Sequence, residues 1–171
     1  MLDPRQAELY RLWGDLRPLE GGAPPRSAFD PLDAPKALST LVLAEVTGPD
    51  LTFRVVGTDM VEAWGYDYTG QRLRDIMSGE YHDFIRSLFD QTIETQRCVF
   101  SHSRFQWDRG RTLDTRRLML PFARDAAPRE IGFVLVSQVY DYSRTGPEKP
   151  LIASGEAVER FEIAREVLGA E

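Results

Sequence analysis

The sequence has few of the residues that bind metals or form disulfides. Its 171 residues include one cysteine, Cys98, and two histidines, His82 and His102. A single cysteine excludes a disulfide within the chain and is typical of proteins of the reducing cytoplasm. The histidines come from different predicted elements and have no second histidine or cysteine at the spacing of zinc ligands. We therefore expect a cytoplasmic protein without a metal site.

Long apolar runs and an excess of basic residues are also missing. The longest apolar stretches, such as Ile131–Val136, are far shorter than the roughly 20 residues that a membrane-spanning helix needs. Pro4 and Arg5 lie where a secretory signal would need an apolar core. A net charge of -6 argues against a nucleic-acid partner, because phosphate neutralisation needs clustered Lys and Arg. The sequence predicts one soluble domain with no membrane partner and no nucleic-acid partner.

The common catalytic motifs are absent as well. There is no Gly-x-Ser-x-Gly elbow and no phosphate-binding loop with Gly-Lys. Ser101, His102 and Ser103 combine hydroxyls with an imidazole, but adjacent strand residues point to opposite faces. We therefore expect no enzymatic activity. The alternative is a small enzyme of a related sheet-plus-helix fold, acting on an apolar or carboxylate-bearing substrate, which paired carboxylates or a His-Asp contact in a cavity would favour.

An amphipathic helix is predicted at the N-terminus. Asp3 can cap it, Pro4 suits its first position, and it should end near Pro18. Its apolar residues form one stripe: Leu9, Leu12, Trp13 and Leu16. The stripe covers either the sheet of its own domain or a second copy of the chain, and we expect these four residues to be an interaction site in a homodimer. Residues 1–23 are predicted to form this helix and a linker.

The region 24–142 alternates between strand and helix patterns. Two strands, Leu41–Val46 and Leu51–Val56, flank a turn and predict an antiparallel pair with Leu51, Phe53 and Val55 facing the core. The strongest helical pattern runs from Glu80 to Gln96. The remaining elements are predicted as two short helices, Asp59–Trp64 and Leu73–Met77, followed by three antiparallel strands, Cys98–Trp107, Thr115–Phe122 and Glu130–Val139.

The C-terminal tail, 143–171, is predicted to be turn-forming at first and then helical. Its apolar residues recur at helical spacing, namely Ala157, Val158, Phe161, Ala164 and Leu168. We expect a short helix that docks on a partner.

Five ordered motifs carry a family resemblance. They are Pro25-Arg26-Ser27-x-Phe29-Asp30-Pro31, then Leu38 with Leu41, then Phe53-Arg54-Val55-Val56-Gly57-Thr58, then Gly65-x-Asp67-x-Thr69-Gly70, then Leu118-x-Leu120-Pro121-Phe122. Together they resemble the compact PAS domain family of stand-alone bacterial proteins, known mainly from alphaproteobacteria. The resemblance covers roughly residues 24–142. One position departs from it, because Arg116 and Arg117 stand where the family leads us to expect an acidic residue, with Asp114 slightly earlier.

The resemblance implies an α+β fold, a PAS-like five-stranded antiparallel sheet with helices on one face, to which the N-terminal helix is added. It also implies a cavity between the sheet and the central helix, and a sensory or protein-interaction role without catalysis. Output would pass to a separate signalling effector protein. A ligand-binding sensor and a constitutive adaptor both remain open.

Candidate ligand-binding residues are those expected on the inward surfaces of this cavity. They are Phe53, Val55, Met60, Trp64, Tyr81, Phe84, Ile85, Leu88, Ser103, Phe105, Leu118 and Leu120. Large side chains in a small domain also simply fill a core, so packing is the alternative to a small apolar ligand. Tyr81, Ser103 or Arg104 would orient such a ligand. No cofactor is predicted, because His82 lies at an exposed helix start and Cys98 lacks the motif of flavin-reactive PAS cysteines.

Overall fold

The structure is a computed structural model that describes residues 1–108, 111–145 and 159–169. It contains four α-helices, α1 (Pro4–Asp15), α2 (Thr58–Trp64), α3 (Leu73–Ile76) and α4 (Gly79–Thr95), within these ranges. The strands are β1 (Leu41–Thr47), β2 (Asp50–Val56), β3 (Val99–Asp108), β4 (Arg111–Arg124), β5 (Ala127–Asp141) and β6 (Glu159–Val167). The predicted long helix, the first hairpin and the three antiparallel strands are all present, and each of these strands except β3 is longer than the sequence indicated.

The strands form one antiparallel sheet in the order β2-β1-β5-β4-β3-β6. The fold class is therefore confirmed, with six strands rather than five. Side chains alternate between the two faces of each strand, so the sheet has one face under α4 and another under α1. We call these the α4 face and the α1 face.

Helix α1 packs on the sheet of its own chain. Asp3 and Gln6 form a capping box at its start, and the Gln6 amide then donates to the backbone oxygens of Arg116, at 3.1 Å, and Ser137, at 3.0 Å. The Trp13 indole donates to the Pro121 oxygen at 2.8 Å. Leu9 and Trp13 are buried within this chain, which corrects their assignment as partner-facing residues. An apolar stripe alone cannot tell whether it covers its own sheet or another copy.

The expectation that Val55 faces the core is wrong. Register shifts between β1 and β2, where Ala44 pairs with Phe53 but Leu43 pairs with Val55, so Arg54 is the extra residue of a β-bulge. The bulge turns Val55 to the opposite face from Phe53 and leaves it 50% exposed. A strict two-residue period in the sequence could not show this shift.

The C-terminal helix prediction is also wrong for its described part. Residues Glu159–Val167 form β6, which pairs with β3, and the Leu168 amide donates to the Cys98 oxygen at 2.8 Å. Without β6, the unpaired backbone N–H and C=O groups of β3 would form an open sheet edge. The hydrogen bonds that β6 makes with β3 stabilise a strand more than the weak helical pattern favours a helix. The predicted stripe residues Ala157 and Val158 lie outside the described residues.

Gly57 fixes the junction between β2 and α2. Its amide donates to the Leu41 oxygen at 2.7 Å, and a Cβ at this position would lie 2.4 Å from the Ser39 oxygen. Only glycine allows this approach. The contact holds α2 against the start of β1, beside the α4 face.

Within the described ranges, no helix has the length and apolar character needed to cross a membrane.

Candidate functional site

A small cavity lies between α4 and the sheet, where the resemblance placed it. Its volume is about 30 Å³, which is space for about two water-sized groups. Its lining residues come from α2, α4, the two loops beside α3 and strands β1, β2, β4 and β5. They are Val42, Phe53, Trp64, Tyr68, Met77, Tyr81, Ile85, Leu88, Phe89, Arg117, Met119, Val136 and Gln138. Pockets for drug-sized ligands are about 300–1,000 Å³, so only a molecule or group of a few heavy atoms fits here.

Five of the predicted ligand-binding residues line this cavity. They are Phe53, Trp64, Tyr81, Ile85 and Leu88. Aromatic rings meet closely on its α2 side, where the centroid of Trp64 lies 5.2 Å from that of Tyr68, and Tyr68 lies 4.9 Å from Phe53. Edge-to-face and tilted contacts of this kind hold the rings in place. The wall on this side is therefore built of packed aromatic rings.

Four more of the predicted residues do not line the cavity. Met60 is fully buried in the core. Phe84 and Phe105 flank the guanidinium of Arg117, each ring centroid at 5.9 Å, and Ser103 accepts a hydrogen bond from it. These three side chains therefore contact Arg117, which itself lines the cavity.

Leu118 and Leu120 do not belong to the cavity, which corrects their assignment. Both are buried, but Arg117 and Met119 line the cavity, so the residues between and after them point to the α1 face. Leu118 pairs with Ser137, whose hydroxyl lies 2.9 Å from that of Thr40 on the α1 face. The strand is apolar on both faces, and its sequence does not indicate which leucines face the central helix.

Sequence reasoning missed eight of the lining residues, and Arg117 is the charged one among them. It is 2% exposed, and its Nη1 donates to the Ser103 hydroxyl at 2.9 Å. Its Nε and Nη2 have no hydrogen-bond partner among the described residues. A strand covered on both faces has to bury either Arg116 or Arg117, and that was the signal available in the sequence.

Neutral polar groups surround the guanidinium. The Gln138 amide, opposite Arg117 in the β4-β5 pairing, donates to the Tyr140 hydroxyl at 2.6 Å. Burial raises the pKa of Tyr68 and of Tyr140 well above the usual value for tyrosine, and nearby Arg117 only partly opposes this. Both phenols are therefore uncharged at neutral pH. Arg117 is the one charged side chain among the described lining residues.

The α1 face carries a different charged cluster. Asp114 accepts hydrogen bonds from Arg104, at 2.8 Å to Nη2, and from His102 at 3.2 Å. The Arg104 hydrogen bond, helped by His102, holds the pKa of Asp114 below its usual range. Arg104 therefore does not orient a cavity ligand. His102 points away from Ser101 and Ser103, as the strand alternation predicted, and its contact with Asp114 lies outside the cavity.

Cys98 and His82 also lie away from the cavity lining. Cys98 is buried, and burial raises the pKa of its thiol. His82, on the first turn of α4, contacts the Asp83 carboxylate at 3.1 Å. Among the residues that the structure describes, no group of three or more His, Cys, Asp or Glu side chains could hold a metal ion.

Comparison with solved structures finds several matches of low identity. The Rhodobacter sphaeroides LOV protein is 14% identical, and the match covers 86% of this chain and 73% of that one, with a TM-score of 0.47. The blue-light photoreceptor Aureochrome1 LOV is 15% identical over 63% of this chain and 85% of its own, with a TM-score of 0.43. An RNA-binding Light-Oxygen-Voltage receptor is 22% identical, with a TM-score of 0.45, over 72% of this chain and 36% of its own.

Comparison with curated proteins gave no match. Comparison with family models matched the PAS domain model over residues 1–135. The match includes α1, which the sequence resemblance had left outside its range, and extends into β5. It covers well over half of the chain, and the chain therefore belongs to the PAS domain family.

Proposed function

We propose that this protein is a non-enzymatic sensory PAS domain that takes a small ligand into the cavity under α4. The observation that carries the proposal is the cavity itself, which is lined by packed aromatic rings and by one buried, incompletely paired cation. Side chains that only fill a core pack to high density and satisfy their polar groups. The open volume beside unpartnered guanidinium nitrogens favours a sensor over a constitutive adaptor.

The proposal includes transfer of the signal to a separate effector protein and pairing with a second copy of the chain. With Leu9 and Trp13 buried, the half-buried members of the predicted interaction stripe, Leu12 and Leu16, remain for such contacts. Exchange of ligand at the cavity would act on α4, whose side chains Tyr81, Ile85 and Leu88 form one of its walls.

Methionine methyl groups provide an internal set of probes for ligand binding. The chain has four methionines, of which Met77 and Met119 line the cavity, Met60 is buried elsewhere and Met1 is exposed. Titration of 13C-methyl-methionine protein with xenon and with small organic molecules should shift the Met77 and Met119 signals. The Met60 signal should not move.

Two variants make this experiment decisive. Ile85→Phe fills the cavity and should abolish the shifts, whereas Leu120→Met changes a buried residue of the α1 face and should leave them unchanged. Saturable shifts of Met77 and Met119 that Ile85→Phe removes would support a sensor. The absence of any selective shift in the wild-type protein would identify the cavity as closed core and contradict the proposal.

A further inference from the structure

Arg117 has an electrostatic environment that a structural arginine rarely has. Burial of a cation without a carboxylate partner is costly, and buried arginines are normally paired. Among the described residues, the contacts of its guanidinium are the Ser103 hydroxyl and the rings of Phe84 and Phe105. These contacts place the group firmly, but none of them neutralises its charge.

The unpartnered nitrogens lie together on one edge of the guanidinium. Nη1 donates to Ser103, whereas Nε and Nη2 have no partner in the part of the chain that the structure describes. The Nε–H and one Nη2–H point in the same direction in the plane of the group. This edge matches the two oxygens of a carboxylate in a bidentate pair. A neutral hydrogen-bond acceptor would use one of the two donors and would leave the charge unbalanced.

The rest of the cavity is chemically suited to the alkyl group of a short carboxylic acid. Its other lining side chains carry no charge, and most are aromatic or aliphatic. The volume of about 30 Å³ is space for about two water-sized groups, so the ligand is limited to a few heavy atoms. A carboxylate with a short alkyl group fits when Met77 or Tyr81, which are half-buried lining residues, moves outward.

We propose that the cavity recognises a short-chain monocarboxylate, which Arg117 binds through Nε and Nη2 while the alkyl group packs against Phe53 and Trp64. This inference rests on the proposed sensory function and names the chemical class of the ligand. It makes Arg117 the residue that determines specificity.

Pairs of compounds that differ only in the carboxylate test the inference without any mutation. Acetate and propionate, added as potassium salts at constant ionic strength with chloride as the balancing anion, are compared with acetamide and propionamide. A ligand of so few atoms should bind with a Kd of about 0.1–10 mM. The carboxylates should shift Met77 and Met119 at least about tenfold more tightly than the amides do.

Variants of the two adjacent arginines then assign the selectivity to one side chain. Arg117→Met, which keeps the length but removes the charge, should weaken propionate binding by at least about tenfold. Arg117→Lys keeps the charge but loses the two-donor edge, and we expect a loss of about three- to tenfold. Arg116→Met changes the neighbour whose side chain lies on the α1 face, and it should leave the Kd within about twofold of the wild-type value. Methyl spectra of each variant show whether the fold is kept.

The outcomes separate this inference from the function on which it rests. Selective carboxylate binding that both Arg117 variants weaken supports both proposals. Equal binding of amides and carboxylates, or carboxylate binding that Arg117→Met leaves intact, overturns the inference but leaves the sensory cavity standing. If neither xenon nor any of these compounds shifts Met77 or Met119, both proposals fail.

Discussion

The two faces of the sheet differ in how completely their polar groups are paired. On the α1 face, the Gln6 amide makes two hydrogen bonds to strand oxygens, the Trp13 indole makes one, and the hydroxyls of Thr40 and Ser137 bond to each other. On the α4 face, Ser101, Thr115 and Arg117 have buried polar atoms without partners among the described residues. The polar groups named on the α1 face are therefore paired, whereas the α4 face has unpaired polar atoms in the part of the chain that the structure describes, including those of Arg117 at the cavity.

This difference indicates that the α1 face mainly stabilises the domain, whereas the α4 face is the one suited to binding. A fully satisfied interface contributes to stability, because every lost hydrogen bond leaves a buried group unpaired. Unpaired buried groups lower stability and are typical of sites that wait for a ligand. Each face can therefore be altered with a different expected result.

Two equally buried leucines give the largest expected effects. Leu118, on the α1 face, and Leu88, lining the cavity, are both 0% exposed. We expect Leu118→Ala to lower the free energy of unfolding by about 4–5 kcal/mol and Leu88→Ala by about 2–3 kcal/mol, because Leu88 already borders open space and has fewer contacts to lose. Denaturant unfolding of ligand-free protein measures both. Equal losses would show that the cavity behaves as ordinary core.

Two glutamines provide a second matched pair, with smaller effects. Gln6→Leu removes the donor to the oxygens of Arg116 and Ser137 and should cost about 1–3 kcal/mol. Gln138→Leu, at the cavity, removes only a bond to the Tyr140 hydroxyl, and we expect a loss below about 1 kcal/mol. Denaturant unfolding of the two variants measures both losses of unfolding free energy. A larger loss for Gln138→Leu than for Gln6→Leu would reverse the roles that we assign to the two faces.

The smallest expected effect concerns the paired charges of the α1 face. Hydrogen bonds from Arg104 and His102 lower the pKa of Asp114 in the folded protein. Its contribution to stability is therefore present above the unfolded-state pKa of about 3.9 and is lost as the pH falls through the lower folded-state value. Carboxyl NMR titration should give a midpoint below about 3.9. In Asp114→Asn this part of the acid dependence of unfolding should disappear, and an unchanged dependence would contradict the assignment.

Much of this architecture could be predicted from periodicity. Helix α4 and the β3-β4-β5 strands have strong patterns because each buries a continuous apolar stripe or face. The β-bulge at Arg54 and the pairing of β6 with β3 could not be predicted, since both depend on contacts with strands that are distant in sequence or on a local shift in register. Long-range pairing overrides local propensity in such segments.

The candidate site was predictable only in part, for a related reason. Residues of the strongly periodic α4, Tyr81, Ile85 and Leu88, were assigned correctly to the cavity. The β4 residues were not, because Leu118, Met119 and Leu120 are all apolar and both faces of the strand are covered. The role of Arg117 depends on which face it occupies, and that follows from sheet packing rather than from its neighbours in sequence.

The stability of Arg117→Met, with and without propionate, tests the central claim most directly. Without ligand, removal of an unpaired buried charge should leave the free energy of unfolding unchanged or raise it by up to about 3 kcal/mol. Propionate at about ten times its Kd should then stabilise the wild-type protein by about 1.4 kcal/mol and the variant hardly at all. If Arg117→Met is strongly destabilised and propionate stabilises neither protein, Arg117 is a structural residue and the account of the α4 face is wrong.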